Sequence, residues 1–410
     1  MARMSTPKKL ASFAPGVNNR LAPTQLDTVG ENRTSATYLV RADNVDLSAE
    51  GRARRRRGTT LSLAGRAHSL WGDERGQCAV LDGNLVSLAL SGSTLTPTTI
   101  RPGMSGRPVS YSRGADGEVY WSDQIDIRRI SAGVDRPVTT PSLAREPDVT
   151  VVQGALRAGQ YMLAFTAMSQ DGESGSTTPM FVDVPDGGGL LISALPGTPT
   201  RVYVSGPNGE VPTLQFVTSA TDATVAVHRA DGIRCQTLLN SPMPAGQIVR
   251  HFLGRMLVAS GSILFISEPY NYGIYDGASG YIPFPEPITV VEPTSGGVYV
   301  VADMTYFFPT LSGGPEVALA YGALAGSGGY DRRTKTAYWM SVKGLVVADP
   351  DGRAKNIQEH ALTFGGASRA ATLYREADGM RHLLTTCADV RPDETSSLSG
   401  RVRQAMKKGT

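Results

Sequence analysis

The sequence predicts an all-β protein, an irregular six-bladed β-propeller interrupted by one inserted β-sandwich. Three observations predict this class. A pattern of two apolar β-runs joined by a tight turn occurs six times, a separate stretch carries seven short strand patterns, and 46 glycines and 26 prolines are spread along the chain. Glycine and proline at this density are typical of a protein that is built from strands and many turns.

The repeated pattern defines the predicted blades. Successive copies start 40, 42, 39 and 43 residues apart, apart from one interval of 138 residues. A β-repeat of about 40 residues is typical of propeller blades, because a four-stranded meander cannot bury both of its faces alone. The copies occupy residues 78–90, 118–130, 256–268, 298–310, 337–349 and 380–389.

The long interval predicts an inserted domain at residues 147–230. Strand patterns recur there about every ten residues, which is the cadence of an immunoglobulin-like sandwich. The run 161–168 and the turn 169–174 resemble a fibronectin type III strand and its turn. The insertion is therefore expected to be a fibronectin type III-like β-sandwich. Its predicted strands are residues 149–152, 160–168, 179–184, 189–193, 200–204, 214–218 and 224–228.

The two ends are predicted to be arms. Residues 1–40 are polar, and their 13–21 stretch is expected to be extended and ordered by a partner. Residues 41–146 and 231–390 carry the blades, and the basic tail 391–410 is expected to be disordered or to dock on a partner. No apolar run follows the first charges, and no stretch reaches the roughly 18–20 apolar residues of a membrane helix, so we expect neither a signal peptide nor a membrane span.

Composition excludes several classes of function. The 40 Lys and Arg against 37 Asp and Glu give a net charge of +3, which argues against a dedicated nucleic-acid binder. The three cysteines, Cys78, Cys235 and Cys387, have no metal-ligand spacing and predict reduced, mostly buried thiols. No metal or cofactor site is predicted.

The run from Arg54 through Arg55 and Arg56 to Arg57 is the densest charge in the chain. It could contact DNA phosphates, or it could be a solvated or interfacial strand. Because alternate residues of a strand face opposite sides, at most two of the four could face one partner. We therefore favour a protein interface or simple solvation.

An aromatic stretch containing Tyr270, Tyr272 and Tyr275 could bind a sugar or a protein groove, or it could pack between blades. Acids are candidates for glycosidase chemistry, but they lie mainly at turn tips, where Asp is favoured anyway. A cation site at Asp171 and Glu173 is likewise explained by a hairpin turn. We expect no catalytic residue. The candidate acids and their possible tyrosine partner are Asp82, Asp123, Asp126, Asp303, Asp349 and Tyr338.

Residues 13–21 with 44–58, and residues 267–275 with 281–285, resemble tail-nozzle and tail-hub β-propeller proteins of short-tailed bacteriophages. The resemblance implies a structural virion protein rather than an enzyme. It implies a homo-oligomeric ring, usually of six copies, that attaches below the portal and adaptor and surrounds the DNA exit channel. DNA would pass through without sequence recognition. The inserted sandwich departs from the simplest nozzles.

Two other functions remain open at this stage. A receptor- or carbohydrate-binding protein of the tail tip would use the aromatic stretch and the insertion. A propeller glycosidase would use an acid pair. A Tyr-dependent glycan interaction would favour the former, and turnover abolished by one Asp or Glu substitution would favour the latter.

Overall fold

A computed structural model describes residues 12–29, 35–39, 42, 45–47, 51–55, 58, 61–92, 94–377 and 380–389. Their regular structure is β-strand, apart from one 3-10 turn at Pro23–Gln25, and no α-helix occurs in these ranges. The all-β class is therefore confirmed. Contacts divide the chain into two units, Met1–Leu61 with Pro285–Thr410, and Ser62–Phe284. The predicted domain boundaries near 146 and 230 both lie inside the second unit and stay predictions.

The first unit begins with two short hairpins. Residues 12–18 run alongside β2, with parallel bridges from Ser12 to Ala36 and from Val17 to Leu39. This part of the predicted N-terminal arm thus contacts its own chain, and its predicted ordering by a partner stays a prediction. The strands are β1 Asp27–Val29, β2 Ser35–Thr37, β3 Val45–Leu47 and β4 Ala53–Arg55.

The second unit opens with two four-stranded antiparallel sheets, sheet I (β5–β8) and sheet II (β9–β12), each with its strands in chain order. The predicted turn at Asp82-Gly83 is confirmed: both residues have positive φ, 47° and 78°, as a type I′ turn requires. The two sheets share one core around Trp121 and Leu85, both fully buried. The strands are β5 Ala67–Asp73, β6 Gly76–Leu81, β7 Asn84–Ser91, β8 Thr94–Arg101, β9 Ser110–Arg113, β10 Val119–Ser122, β11 Ile127–Ser131 and β12 Val134–Pro137.

The predicted insertion is a two-sheet arrangement. One sheet has the order β13-β17-β20, and the other has β15-β14-β18-β19 with β16 also paired to β14. Inward-facing side chains of both sheets, such as Phe165 and Ile192, form one core. All seven predicted strands are present. The bounds are β13 Asp148–Leu156, β14 Gly159–Ser169, β15 Gly172–Glu173, β16 Met180–Val184, β17 Gly188–Ser193, β18 Thr200–Val204, β19 Thr213–Thr218 and β20 Ala223–Val225.

A third four-stranded sheet, sheet III, completes the second unit with the order β22-β23-β24-β26, while β21 pairs with β25 beside it. Its central strand β23 is buried at four consecutive positions, so both of its faces are covered. The strands are β21 Asn240–Pro242, β22 Ile248–Phe252, β23 Arg255–Ser260, β24 Ile263–Ile266, β25 Ile274–Asp276 and β26 Tyr281–Pro283.

The rest of the first unit holds sheet IV (β27–β30), sheet V (β31–β34) and a two-stranded sheet, β35 with β36. Sheets IV and V pack around Tyr299 and Trp339, whose ring centroids lie 5.5 Å apart. The strands are β27 Val290–Pro293, β28 Val298–Val301, β29 Thr305–Phe308, β30 Glu316–Leu319, β31 Gly329–Asp331, β32 Thr336–Ser341, β33 Gly344–Ala348, β34 Ala354–Asn356, β35 Arg369–Ala377 and β36 Met380–Ala388.

Five of the six sequence repeats coincide with the two central strands of sheets I to V. The prediction that the sixth repeat is a hairpin was wrong. Residues 380–389 hold one continuous strand, β36, which pairs with the upstream strand β35 along nine positions. An apolar run followed by threonines resembled a hairpin in sequence, but its pairing partner precedes it.

Candidate functional site

The arginine run lies partly on β4. Arg54 and Arg55 are exposed, and β4 pairs with β3 so that Arg54 is opposite Asp46. The adjacent arginines of the run point to opposite sides of the strand, as strand geometry requires. Arg56 and Arg57 lie outside the described residues. The interface predicted for this run stays a prediction.

The three tyrosines of the aromatic stretch have different environments. Tyr272 is only 5% exposed and packs edge-on against Tyr120 and His251, with centroid distances of 5.1 and 5.6 Å. Tyr275 packs edge-on against Phe265. Tyr270 is 76% exposed. Tyr272 therefore packs in the core shared by sheets II and III, and only Tyr270 of the three presents most of its ring to solvent; the interface predicted for the three tyrosines stays a prediction.

A polar cluster accompanies Tyr272 at the junction of sheets II and III. The Tyr272 hydroxyl lies 3.2 Å from Nε2 of His251, and the Tyr120 hydroxyl donates to Asp116 at 2.7 Å. Burial lowers the pKa of His251 and outweighs the opposite influence of the Asp116 carboxylate. The imidazole is therefore neutral at physiological pH, and it packs against the Tyr272 ring within the cluster.

Serine hydroxyls connect neighbouring sheets of the second unit. Ser110 and Ser112 of β9 accept hydrogen bonds from the backbone N–H groups of Val249 and His251, at 3.0 and 2.9 Å. Ser69 of β5 likewise accepts a hydrogen bond from the backbone N–H of Val109, the residue before β9, at 2.8 Å. These backbone N–H groups have no acceptor on a neighbouring strand of their own sheet, and the serine hydroxyls supply one. The junctions between sheets I and II and between sheets II and III therefore contain hydrogen bonds as well as apolar contacts.

Ion pairs reinforce the same junctions. Arg113 of sheet II binds Asp73 of sheet I with two hydrogen bonds, 2.5 and 2.9 Å long, and its guanidinium lies over the Trp71 ring. Arg101 of sheet I reaches Asp126 and Asp135 of sheet II at 2.7 and 3.2 Å. Ion pairs with this geometry fix the position of sheet I relative to sheet II.

Several candidate acids accept hydrogen bonds from backbone N–H groups in or beside turns. Asp123 is 3% exposed, and its carboxylate accepts from the backbone N–H groups of Ile125 and Asp126. Burial alone would raise the pKa of Asp123, but these hydrogen bonds outweigh it, and the pKa lies below its usual value. Asp82 and Asp349 also accept backbone N–H groups. Such bonds fix loop conformation, as expected of Asp at turns.

The other candidate acids described by the structure also have hydrogen-bond or ion-pair partners within the chain. Asp303 accepts from the Tyr306 hydroxyl within its own hairpin, and Tyr338 of β32 lies opposite Gly329 of β31 and Val347 of β33. Asp171 binds Arg129 at 2.8 Å, and Glu173 binds Arg201 at 2.7 Å. Both acids therefore have cations of the chain as partners, and Asp171 ties the insertion to sheet II. Among the described residues no cluster of His, Cys, Asp or Glu could hold a metal ion.

The N-terminal motif forms a clasp that sequence reasoning missed. Asn19 is 6% exposed and pairs with Thr363 through both ends of its amide, donating to the carbonyl at 2.9 Å and accepting from the N–H at 3.0 Å. Asn18 is 1% exposed, and its side-chain oxygen accepts from the backbone N–H groups of Arg20 and Leu21. The adjacent asparagines, which the chain has at only one place, were the available signal.

An apolar groove lies on the insertion. Its volume is about 460 Å³, and its walls include Pro141, Leu143, Met168, Pro196 and Pro199. Thr140, which also lines the groove, is bonded through its hydroxyl to Ser169 of β14 and Gly172 of β15, at 2.6 Å each. No sequence pattern predicted it, because its walls come from three separate segments.

The cysteines are free thiols. Burial raises the pKa of Cys78 and of Cys235 to about 11, so both stay protonated and unreactive at physiological pH. In the ranges that the structure describes, no helix is long and apolar enough to cross a membrane.

No protein-family model matches the chain, and no curated protein matches it. Among solved structures, virginiamycin B lyase from Staphylococcus aureus is 11% identical with a TM-score of 0.30, over 72% of this chain and 85% of that one. A gluconolactonase from Xanthomonas campestris is 10% identical with a TM-score of 0.33, over 80% and 87%. BBS1N in complex with ARL6DN is 14% identical with a TM-score of 0.29, over 83% and 94%. Likeness at this level establishes no shared function.

Proposed function

We propose that this protein is a structural subunit of a bacteriophage tail, part of a nozzle or hub ring that surrounds the DNA exit channel below the portal and adaptor. In this proposal sheets I to V are blades of an irregular six-bladed β-propeller, and the two-sheet insertion is a fibronectin type III-like domain. The supporting observation is the set of ties between neighbouring sheets, which use hydroxyls and charges for rigidity.

Rigidity is what such a ring requires. Each of sheets I to III in the second unit is fixed to a neighbour by an apolar core and by directed bonds from Ser69, Ser110, Ser112 or Arg113. A subunit with these ties keeps the angle between its contact surfaces constant. Constant angles allow heterologous contacts to close into a ring instead of growing as a filament.

The lowered pKa values of two buried acids, Asp73 and Asp123, favour a structural role for them over the glycosidase alternative. A glycosidase requires two carboxyl groups that face each other across a substrate, one of them with a raised pKa. Burial would raise the pKa of Asp73 and of Asp123, but hydrogen bonds from Arg113 and from backbone N–H groups outweigh it and lower both pKa values. Carboxylates in this state accept hydrogen bonds and do not donate protons at neutral pH.

The near-balanced net charge of the chain is compatible with DNA that moves through the channel without binding tightly. With a net charge of +3 the chain attracts phosphate weakly overall, so DNA could move through a channel without being retained. The asparagine clasp gives Asn18 and Asn19 an architectural use, as the proposed structural role requires. The proposal places the protein in the virion and requires no cofactor.

Electron microscopy tests this proposal. The purified chain should form rings with an axial pore, of which six copies is the expected number, and antibodies against the chain should label the tails of the phage particles that contain it. A chain that stays monomeric at all concentrations and is missing from purified particles would refute the structural role.

A second candidate function rests on Tyr270. An aromatic ring that is 76% exposed is a suitable platform for a sugar, as a receptor-binding tail-tip protein requires. The structure narrows the test to Tyr270→Ala, because replacing Tyr272 would damage the core. Loss of glycan-array binding in this variant, with the wild type binding, would favour the second candidate.

A further inference from the structure

Charge is distributed unevenly among the five four-stranded sheets. No Lys or Arg occurs from Met256 to Asp331, and six occur from Arg332 to Lys355. Counted from its first strand to its last with the turns between them, sheet V (residues 329–356) has these six cations and three Asp, a net charge of +3. Sheets I to IV, counted in the same way, have net charges between −3 and 0. The positive charge carried by the five sheets is therefore concentrated in sheet V.

Two turns of sheet V use their acids internally and expose their cations. In the β31–β32 turn the Asp331 carboxylate accepts a hydrogen bond from the backbone N–H of Arg333 at 2.9 Å, and Asp331 is 1% exposed. In the β33–β34 turn the Asp349 carboxylate accepts from the backbone N–H of Arg353 at 3.0 Å. Both carboxylates fix their turns, as is usual for Asp. The exposed charged residues of these two turns and of β34 are Arg332, Arg333, Lys335, Arg353 and Lys355, with Asp351 as the acid among them.

The two turns lie at the same end of sheet V. The strand order is β31-β32-β33-β34 and each neighbouring pair is antiparallel, so the first and third turns share one end and the second turn lies at the other. Beside them one row of paired residues, Tyr330, Ala337, Ala348 and Ala354, crosses all four strands. Because adjacent strands are about 4.8 Å apart, this row is about 14 Å long. The five cations along it are called the sheet V basic strip: Arg332, Arg333, Lys335, Arg353 and Lys355.

A strip of exposed cations with few acids favours a polyanion as its partner. Protein interfaces are depleted of charged residues at their centre and use apolar or aromatic anchors there, which the five residues of the strip do not supply. Duplex DNA carries one phosphate charge per roughly 1.7 Å of its axis, so a strip of about 14 Å faces about eight phosphates. The phosphates therefore outnumber the cations of the strip, and the contact requires no base edge.

We propose that the sheet V basic strip contacts the phosphate backbone of the DNA that passes through the proposed ring. The inference rests on the proposed function and assigns the DNA-facing surface of each subunit. Such a contact gains affinity mainly from the release of counterions, and it weakens steeply as the salt concentration rises. Five cations on a chain of near-balanced charge can thus guide DNA without retaining it.

DNA binding by the full chain tests the strip. A fluorescently labelled duplex of about 20 base pairs should bind the wild type at low salt, with the same affinity for two unrelated sequences. The triple variant R332Q/R333Q/K335Q should bind at least about tenfold more weakly, and the slope of log K against log salt concentration should fall by about 2–3. R353Q/K355Q should lower that slope by about 1–2. All five positions are exposed, so the urea midpoints should stay close to that of the wild type.

The matched control removes the same charge elsewhere. R54Q/R55Q/K343Q changes two exposed arginines of β4 together with Lys343, which lies in the turn at the other end of sheet V with its ammonium 4.6 Å from the Tyr321 ring centroid. This variant should bind DNA within about twofold of the wild type, since salt screens charges that lie outside the contact. Equal losses in the two triple variants would show that net charge attracts DNA without the strip, and would overturn the inference.

The ring and the strip can fail separately. Wild-type rings that bind no duplex at low salt would overturn the strip and leave the ring. A wild type that stays monomeric, and whose DNA binding is lost in R332Q/R333Q/K335Q, would keep the strip and overturn the ring. Loss of self-association in that variant, with DNA binding unchanged, would make the strip a contact between subunits and overturn the inference.

Discussion

Replacing Arg113 by Met should reveal how much the ties between sheets contribute to stability. Arg113 connects sheet II to Asp73 of sheet I, and the two side chains are 19% and 4% exposed. Breaking a buried pair by removing one partner typically costs about 3–5 kcal/mol, because the other charge is left without compensation. Asp73 would keep the N–H groups of Arg75 and Gly76 as partners. We therefore expect the lower end of that range, about 3 kcal/mol.

The assay is urea unfolding followed by tryptophan fluorescence. Trp71 reports on this junction directly, since the guanidinium lies 5.7 Å from its ring centroid and Tyr111 stacks on it at 5.9 Å. The matched control is Arg145→Met, whose partner Asp148 lies at a similar distance but whose pair is 69% and 59% exposed. Exposed pairs contribute at most about 1 kcal/mol. Equal losses in the two variants would refute the reasoning.

The dependence on pH gives an independent check. Burial raises the pKa of Asp73, but the hydrogen bonds and charge of Arg113 outweigh it, so the folded-state pKa lies below its ordinary value of 3.8. A lowered carboxylate pKa contributes stability above the unfolded-state value, and that contribution is lost as the pH falls through the folded-state value. The difference between wild type and R113M should therefore be constant near neutral pH and shrink below about pH 4. A difference that instead grows on acidification would contradict this assignment.

Other substitutions should have smaller or opposite effects. Ser112→Ala removes the acceptor of the His251 N–H and should cost about 1–2 kcal/mol in urea unfolding, whereas Ser112→Thr should restore most of it. Asn19→Asp loses the donor to the Thr363 carbonyl, so limited proteolysis should cut the N-terminal segment around this residue faster than in wild type, and unchanged cleavage would argue against the clasp. Leu253→Asn should gain about 0.5–1 kcal/mol, and a loss of stability would mean that the turn is not strained.

The repeats were predictable because the signal lies in the central strands. β10 and β28 are buried at all four of their positions, so both faces of each strand are covered and the sequence shows a nearly uninterrupted apolar run. Outer strands such as β12 and β30 are only partly buried or exposed and have no such run. The sequence therefore shows the hairpin at the middle of each sheet more clearly than the edge strands. At residues 380–389 the same logic failed, because the partner of β36 is a strand of mixed, partly charged composition.

The site residues were less predictable than the fold. The aromatic stretch has no periodicity, so nothing in its sequence separates the buried Tyr272 from the exposed Tyr270; the difference arises from the neighbouring sheet. The asparagine clasp joins residues 344 positions apart, which no local pattern can show. The turn between β22 and β23 was harder to predict, since Leu-Gly stands there between two apolar strands where Asn-Gly or Asp-Gly is the usual hairpin signal.

The ties between sheets have one physical basis. Sheets I, II and III do not pair with one another through their backbones as strands within a sheet do, so serine hydroxyls replace the missing acceptors at Val109, Val249 and His251. Each of these bonds is short and directional, and it therefore limits sliding between sheets in a way that an apolar core alone does not. Leu253 follows closely after His251, the strand position that Ser112 fixes. The turn at Leu253-Gly254 therefore closes the end of a strand whose outer edge is anchored to sheet II.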